Sequence, residues 1–212
     1  MSAAAPGMPA RYPLSRNPIF WTIQGEGHMR GLQMCFVRLA GCSVGCPGCD
    51  TDYRKNEIAT LDEIVRRVEE AIPAAARERW VWLTGGEPTD HNLEPLVSAL
   101  HAKGFRIALA TSGHRKVVVT VDWLSVSPHD PSQWVQTRGN EMKIVPDLNG
   151  FAIEAFRRAH ADETTDFRYR FVQPLSIGKA EDPVSLQTCL EFIRAHPNWR
   201  LSRQDHHYWD VA

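Results

Sequence analysis

The residues with the clearest chemistry are three cysteines on one short segment. Cys42, Cys46 and Cys49 form a CxxxCxxC motif in a run that also contains glycine and proline. Three thiolates at such a spacing can bind three iron atoms of a cubane iron–sulfur cluster, whereas a common electron carrier supplies four cysteine ligands. The fourth iron atom would lack a protein ligand and could bind a small molecule. The motif therefore predicts a cluster that acts on a bound molecule rather than one that only stores electrons.

Other uses of these cysteines have to be compared with the cluster. A closed zinc site needs four ligands, and the nearest candidates for a fourth are Cys35 and His28. Disulfides are disfavoured because the chain has an odd number of cysteines, five, and shows no secretory segment. A redox pair of Cys46 and Cys49 would leave Cys42 without a role.

The composition is that of a globular protein. The chain has 212 residues, of which 43% are hydrophobic and 23% are charged, and this length favours one domain with a substantial core. The net charge of −1 provides no general basic field for nucleic acid. No apolar run approaches the roughly 20 residues that span a bilayer. We therefore expect a cytoplasmic protein that binds neither a membrane nor nucleic acid.

Two regions are expected along the chain. Residues 1–17 are predicted to be a disordered N-terminal extension, because the first thirteen residues are rich in alanine and proline and lack the apolar core of a signal peptide. Residues 18–212 are predicted to form a single domain.

Strands and helices are predicted to alternate in that domain. The strand predicted over 33–39 has an apolar side that includes Cys35. Thr60 and Glu63 form a capping box at the start of a helix. Cys189 falls on the apolar stripe of the last helix, so we expect Cys35 and Cys189 to be buried structural thiols. Further strands are predicted over 80–83, 105–110, 123–126, 142–145, 169–173 and 199–202, and further helices around 93–100, 152–160 and 186–193.

This alternation predicts an α/β fold with a parallel sheet and right-handed crossovers. The residues whose side chains could bind or react lie directly after strands. In parallel α/β folds the carboxyl ends of the strands build the active site. The chain is shorter than the roughly 250 residues of an eight-unit barrel. About six βα units fit, so we predict a partial barrel that is open on one side.

Two features of the sequence suggest ligand binding by their own chemistry, before any resemblance to a known family is considered. Arg38 is a cation on an otherwise apolar strand and needs a partner, which a substrate carboxylate or a structural ion pair could provide. The run Gly85-Gly86-Glu87-Pro88 allows close approach of the backbone to a ligand, but it is equally typical of an ordinary turn.

The motifs together resemble the radical S-adenosylmethionine (SAM) superfamily, in which a CxxxCxxC loop follows the first strand and Gly-Gly-Glu-Pro follows the second. Over nearly the whole chain, from about residue 19 to residue 212, the sequence is similar to the 7-carboxy-7-deazaguanine synthases of that superfamily. The most specific similarity is the Gln24–Gly27 run together with the Cys49-Asp50-Thr51 exit from the cysteine loop. Further matching runs lie at 36–42, 126–128, 140–145, 172–174 and 201–206.

The resemblance implies a partial barrel of the radical SAM type and a carbon–nitrogen lyase. A [4Fe-4S] cluster on the three cysteines would bind SAM and reduce it, and the resulting 5′-deoxyadenosyl radical would take the C6 hydrogen of 6-carboxy-5,6,7,8-tetrahydropterin. Ring contraction and loss of ammonia would give 7-carboxy-7-deazaguanine and regenerate SAM. The resemblance also implies Mg²⁺, a homodimer and reduction by a flavodoxin or ferredoxin.

Several alternatives remain at this point. The product would serve queuosine in tRNA, but the same reaction could serve DNA modification. Another small radical SAM enzyme, such as a glycyl-radical activase, shares the CxxxCxxC motif. The alternative that is not an enzyme is a binding protein stabilised by zinc or by a cluster.

The resemblance also implies roles for individual residues. Besides the three cysteines, the SAM-binding residues would be Gly48, Cys49, Asp50, Gly85, Gly86, Glu87, Ser127, His129, Gln173 and Ser176. The substrate-binding residues would be Ile23, Gln24, Gly25, Glu26, Arg38, Thr84, His206 and Ala212, and Thr51 would bind Mg²⁺.

Most of these polar residues also have ordinary explanations as turn or capping residues. The chain departs from the family pattern in three places on the SAM side. These are Ala110 in place of the family's glutamate, His129 in place of lysine and Ser176 in place of aspartate.

Overall fold

A nine-stranded sheet is the framework of the protein. The computed structural model describes residues 10–46, 49, 51–146, 152–160 and 164–211. The strands of the sheet are β1 Arg11–Ile23, β2 Gln33–Leu39, β3 Glu57–Thr60, β4 Trp80–Gly85, β5 Arg106–Thr111, β6 Trp123–Val126, β7 Arg138–Ile144, β8 Asp166–Val172 and β11 Arg200–Leu201, and a separate hairpin consists of β9 Ser176–Ile177 and β10 Ala180–Glu181. The helices are α1 Leu61–Ala71, α2 Glu94–Ala102, α3 Ile153–Ala159, α4 Pro183–Ala195 and α5 His206–Trp209.

The order of the strands confirms the α/β prediction and the open barrel. The sheet runs β11-β8-β7-β6-β5-β4-β2-β1-β3, and neighbouring strands are parallel from β2 to β11. β1 pairs antiparallel with both β2 and β3 at one edge. Since β3 and β11 each have one neighbour in this order, the sheet does not close. The carboxyl ends of the parallel strands lie at the same edge, where the cysteine loop follows β2.

The sheet is buried on both faces, as parallel sheets generally are. On β2, Cys35, Val37 and Leu39 are fully buried in the main core, which also contains the apolar residues of the four longer helices. The opposite face carries a second apolar cluster that consists of Met29, Met34, Trp80, Trp82, Ala108 and Trp123. Phe36, Ala110 and Tyr169 pack against this second cluster, and Arg38 follows Phe36 on the same face of β2, nearer to the carboxyl edge.

Local signals in the sequence place α1 correctly. Thr60 accepts a hydrogen bond from the Glu63 amide at 3.3 Å, and the Glu63 carboxylate accepts one from the Thr60 amide, so the predicted capping box is present. The two predicted structural thiols, Cys35 and Cys189, are both fully buried.

The predicted boundary of the N-terminal extension at residue 17 is wrong. Residues 11–17 belong to β1, where residues 11–14 pair with β3, and Tyr12 and Leu14 lie in the core. The pattern of apolar residues did not predict this strand. Its register shifts between Leu14 and Ile19, and the shift interrupts the regular alternation of apolar residues. Residues 1–9 lie outside the described part of the chain. Among the described helices, none is long and apolar enough to cross a membrane.

Candidate active site

One cavity of about 530 Å³ opens at the carboxyl ends of the parallel strands. Every predicted site residue that the structure describes lines it. These are Ile23, Gln24, Gly25, Glu26, Arg38, Cys42, Cys46, Cys49, Thr51, Thr84, Gly85, Gly86, Glu87, Ser127, His129, Gln173, Ser176 and His206. Gly48, Asp50 and Ala212 lie outside the described residues. The predicted residues thus come from distant parts of the chain to a single cavity of a size suited to small molecules.

The cysteine loop carries the donor set of an iron–sulfur cluster. Cys42, Cys46 and Cys49 all line the cavity as thiols, and none is part of a disulfide. Within the described residues no three His, Cys, Asp or Glu side chains form a group that could hold a single metal ion. A cubane takes each thiolate on a different iron atom, so three separate cysteines on one loop suit it.

The two proposed fourth ligands for zinc lie elsewhere. Cys35 is buried in the main core, and burial raises the pKa of its thiol to about 12. His28 stacks on Tyr169 with the ring centroids 3.9 Å apart and on Trp123 at 5.2 Å. Neither Cys35 nor His28 lines the cavity.

Gly85 at the end of β4 and Gly86 directly after it are required by contact with the end of β2 and the start of the cysteine loop. Gly85 has a φ of +120°, and a Cβ at this position would lie 2.9 Å from the carbonyl carbon of Arg38 and still nearer to the Leu39 backbone. A Cβ on Gly86 would lie 2.5 Å from the carbonyl carbon of Gly41 and still nearer to its oxygen. The amide of Gly86 donates to Leu39 O at 2.8 Å. This packing accounts for both glycines before any ligand binds, and their role toward SAM stays a prediction.

Glu87 joins the loop after β4 to the loop after β5. Its buried carboxylate accepts hydrogen bonds from Thr89 N and Oγ1, from Thr111 Oγ1, and from Ser112 N and Oγ, at distances of 2.7–3.0 Å. Five donors on one carboxylate fix its position. Glu87 therefore shapes this wall of the cavity, and its role toward SAM stays a prediction.

The turn after β1 is fixed to the opposite side of the barrel. Gly27 N donates to Ser202 Oγ at 3.0 Å, and His28 N donates to Glu141 Oε2 at 2.8 Å. A Cβ on Gly25 would lie 2.5 Å from His206 Nδ1, so this glycine lets the C-terminal helix approach the turn. The polar residues Gln24 and Glu26 are thereby placed at the wall of the cavity.

A network of buried polar groups surrounds Glu26. Its carboxylate forms an ion pair with Lys143, and Gln173 Nε2 donates to it at 3.2 Å. Gln173 in turn accepts a hydrogen bond from Ser202 Oγ at 2.7 Å. Gln173 is therefore bonded to a residue of the predicted substrate group, although the resemblance assigned it to SAM.

Lys143 is a residue of the cavity that sequence reasoning missed. Burial lowers the pKa of its ammonium group to about 8. Its signal was present, since Lys143 alternates with apolar residues on β7 in the same way as Arg38 does on β2.

Glu141 is a second residue that sequence reasoning missed. It is almost completely buried, two positions before Lys143 on β7, and accepts a hydrogen bond from Ser125 Oγ at 2.7 Å. Burial raises the pKa of Glu141 in spite of the hydrogen bonds from His28 N and Ser125, which lower it. Its contact with the turn after β1 gives it a positioning role.

Arg38 lies where a carboxylate of a bound molecule could reach it. Its guanidinium carbon is 4.6 Å from the centroid of the Phe20 ring, and the side chain lines the cavity beside Thr84 and the rings of Phe36 and Trp82. Phe20 and Phe36 stack with their centroids 5.5 Å apart. This arrangement offers a flat apolar wall with a cation at its edge, which suits a planar carboxylated ring.

Known proteins are similar to this chain over most of its length. The radical SAM superfamily matches residues 37–166. The 7-carboxy-7-deazaguanine synthase of Burkholderia multivorans is 34% identical over 91% of this chain and 96% of its own length. That of Escherichia coli K12 is 33% identical over 95% of this chain and 100% of its own length. The crystal structure of QueE from Escherichia coli superposes with a TM-score of 0.70 at 28% identity, covering 92% of this chain and 94% of that one.

The five cysteines are expected to differ sharply in reactivity. In iron-free protein at pH 8, iodoacetamide should modify Cys42, Cys46 and Cys49. It should spare Cys35, of which only about one thiol in ten thousand is ionised when its pKa is about 12, and the buried Cys189. Peptide mass spectrometry over time measures each site. Modification of Cys35 as fast as of the loop cysteines would contradict the packing described here.

A methyl group at position 86 should disrupt the cysteine loop. We expect Gly86→Ala to lower the free energy of unfolding by about 3 kcal/mol and to reduce iron incorporation, because the new Cβ overlaps the Gly41 carbonyl. Gly104→Ala is the control, since Gly104 has a φ of +76° but nothing within 4 Å of a Cβ, and should cost only about 1–2 kcal/mol. Normal iron content in Gly86→Ala would show that the contact is dispensable.

Proposed function

Because the chain belongs to the 7-carboxy-7-deazaguanine synthase family of the radical SAM superfamily, we propose that it converts 6-carboxy-5,6,7,8-tetrahydropterin to 7-carboxy-7-deazaguanine. The observation that carries the proposal is the shared cavity. It brings the three-cysteine loop together with the Gln24–Glu26 turn, Arg38 and His206. A generic radical SAM site would need the cysteines and the Gly-Gly-Glu loop, but the other residues point to a particular substrate.

The cofactors follow from the superfamily and from the donor set of the cavity. Cys42, Cys46 and Cys49 would hold a [4Fe-4S] cluster, and the segment at Gly85 and Gly86 would border bound SAM. Together they would supply radical hydrogen abstraction when bound. Ser127, His129 and Ser176 line the same side and would contact the rest of SAM.

The opposite side of the cavity would bind the pterin. Arg38 would hold its carboxylate with two parallel hydrogen bonds, because a guanidinium matches the geometry of a carboxylate. Phe36 and Trp82 would cover the ring and exclude water. Gln24 and Glu26 would face its polar edge, and the ion pair with Lys143 holds the Glu26 side chain in this position.

The Glu26–Lys143 pair also bears on the release of ammonia. Loss of an amine requires a proton at the departing nitrogen. Lys143 Nζ can hold such a proton inside the cavity, and the Gln173 amide keeps the Glu26 carboxylate oriented toward it. The network thus holds charge and a proton in a region shielded from solvent.

Further parts of the proposal come from the family. Mg²⁺ would bind at Thr51, whose hydroxyl is a suitable oxygen ligand and which lines the cavity beside Cys49. His206 on α5 and the C-terminal carboxylate of Ala212 would reach the pterin. The enzyme would act as a cytoplasmic homodimer reduced by a flavodoxin or ferredoxin, and its product would enter 7-deazapurine synthesis, most often queuosine of tRNA. A glycyl-radical activase is not favoured, because it would not need the turn at Gln24–Glu26.

The activity itself can be measured directly. Anaerobically reconstituted protein with dithionite, SAM, Mg²⁺ and 6-carboxytetrahydropterin should form 7-carboxy-7-deazaguanine, detected by mass spectrometry, and Cys46→Ala should form none. If the wild-type protein cleaves SAM but makes no product, the substrate assignment is wrong. If a protein with a full iron–sulfur complement does neither, the catalytic proposal is wrong.

The role of Arg38 predicts a selective defect. Arg38→Lys keeps the charge but loses one hydrogen bond to a carboxylate, which should lower kcat/KM for the pterin by about tenfold to a hundredfold. SAM binding should not change. Arg66→Lys, on the exposed face of α1, is the control. An unchanged kcat/KM together with a loss of thermal stability would instead assign Arg38 to a structural role against Phe20.

A further inference from the structure

Several polar side chains that have no role in the proposed function form hydrogen bonds at the cysteine loop. Asp90, in the 3-10 turn Pro88–Asp90 after β4, accepts a hydrogen bond from Ser43 N through Oδ2 at 2.7 Å and one from Ser43 Oγ through Oδ1 at 2.7 Å. Both oxygens of one carboxylate therefore hold the backbone and the side chain of the residue that follows Cys42. Arg115 Nε donates to the same carboxylate at 3.0 Å.

His114 connects this contact to Glu87. Its Nε2 atom lies 2.9 Å from Ser43 Oγ, and its Nδ1 atom lies 3.0 Å from Ser112 Oγ. Ser112 Oγ donates to Glu87 at 2.7 Å. The side chain of His114 is only 14% exposed, so the ring is held between the two serines rather than free in solvent.

The contact has a counterpart on the other side of Cys42. Gly41 accepts a hydrogen bond from Glu87 N at 2.9 Å, and its backbone is in close contact with Gly86. The residues before and after Cys42 are thus both bonded to the segment 86–90. Cys42 is the first cysteine of the motif, so its position is set by that segment.

We propose that Asp90 and His114 are positioning residues that fasten Ser43, and through it the cluster ligand Cys42, to the Gly86–Glu87 segment. The proposal rests on the function proposed above, since it assumes that Cys42 binds a cluster and that the Gly86–Glu87 segment borders SAM. Fastening the two loops together fixes Cys42 relative to the Gly86–Glu87 segment, and a cluster held by Cys42 and SAM held against that segment would be oriented toward each other by this contact.

The negative charge of Asp90 stays in place over the working pH range. Burial alone would raise the pKa of Asp90, but the hydrogen bonds from Ser43 and Arg115 outweigh it and lower the pKa. Because Asp90 is bonded to the residue that follows Cys42, its fixed negative charge would disfavour reduction of a cluster held by Cys42, since reduction adds negative charge. Removal of the carboxylate should therefore shift the midpoint potential of the cluster to a more positive value.

A matched pair of residues provides the control. Asp122, just before β6, accepts a hydrogen bond from Ile107 N at 2.7 Å and pairs with His101 Nε2 at 3.0 Å. It repeats the chemistry of Asp90 and His114, but its hydrogen bonds go to β5 and α2 instead of the cysteine loop. Asp122→Ala and His101→Ala should therefore reproduce the general cost in stability without the specific effect.

The test combines a measurement that needs no cluster with one that does. In the full chain, amide exchange at Ser43, followed by NMR, should accelerate by at least about tenfold in Asp90→Ala, because a hydrogen bond to a carboxylate is lost. It should accelerate less in His114→Ala and not at all in Asp122→Ala or His101→Ala. In reconstituted protein, the cluster potential should become more positive in Asp90→Ala alone.

The outcomes separate the two proposals. If Ser43 exchanges at the wild-type rate in Asp90→Ala, or if Asp122→Ala changes it equally, the positioning role is wrong whatever the activity of the wild type. If Asp90→Ala does not fold, Ser43→Ala tests the same contact, because it removes the hydrogen bond from the exposed Ser43 hydroxyl to Asp90. The proposal then requires a change in the cluster potential or in the rate of SAM cleavage. If the wild type assembles no cluster, the proposed function fails, and the exchange result still decides the contact.

Discussion

The contact between the backbone after β4 and the backbone after β2 is the constraint on which the site depends. β2 and β4 are neighbours in the sheet, so their carboxyl ends place the cysteine loop and the Gly85–Gly86 segment side by side. The two loops approach so closely that neither glycine has room for a Cβ. A cluster on one loop and a cofactor against the other would therefore meet at a distance set by the sheet rather than by flexible side chains.

The second requirement is that the charged side chains in the cavity have partners, because they lie next to apolar side chains. A buried charge needs a partner, and the described structure provides one for Glu26 in Lys143, with Gln173 and Ser202 completing the hydrogen bonds. The same face of the sheet carries a cluster of tryptophan and methionine side chains. The cavity is thus lined by apolar rings such as Trp82 together with these polar groups, and the polar groups are where chemistry can occur.

The sequence predicted the elements whose signals are local. The strand at 33–39 and the capping box at Thr60 follow from alternation and from spacing within a few residues. β1 could not be predicted, because its register shift and its pairing with β3 depend on distant residues. The cavity residues were found where a motif marked them or, at Arg38, where a charge interrupts an apolar strand, but Lys143 carries the same signal and was missed. Asp90 and His114 were missed because their contacts with Ser43 span 47 and 71 positions of the chain.

In the proposed reaction a hydrogen atom passes between the pterin and SAM inside this cavity. The most direct measurement of this transfer uses 6-carboxytetrahydropterin deuterated at C6 with reconstituted protein, SAM and dithionite. Mass spectrometry should find deuterium in recovered SAM while 7-carboxy-7-deazaguanine accumulates, because the hydrogen taken from C6 returns through the cofactor. Product formation with no deuterium in SAM, or cleaved SAM that carries only protium while the pterin remains intact, would rule this transfer out.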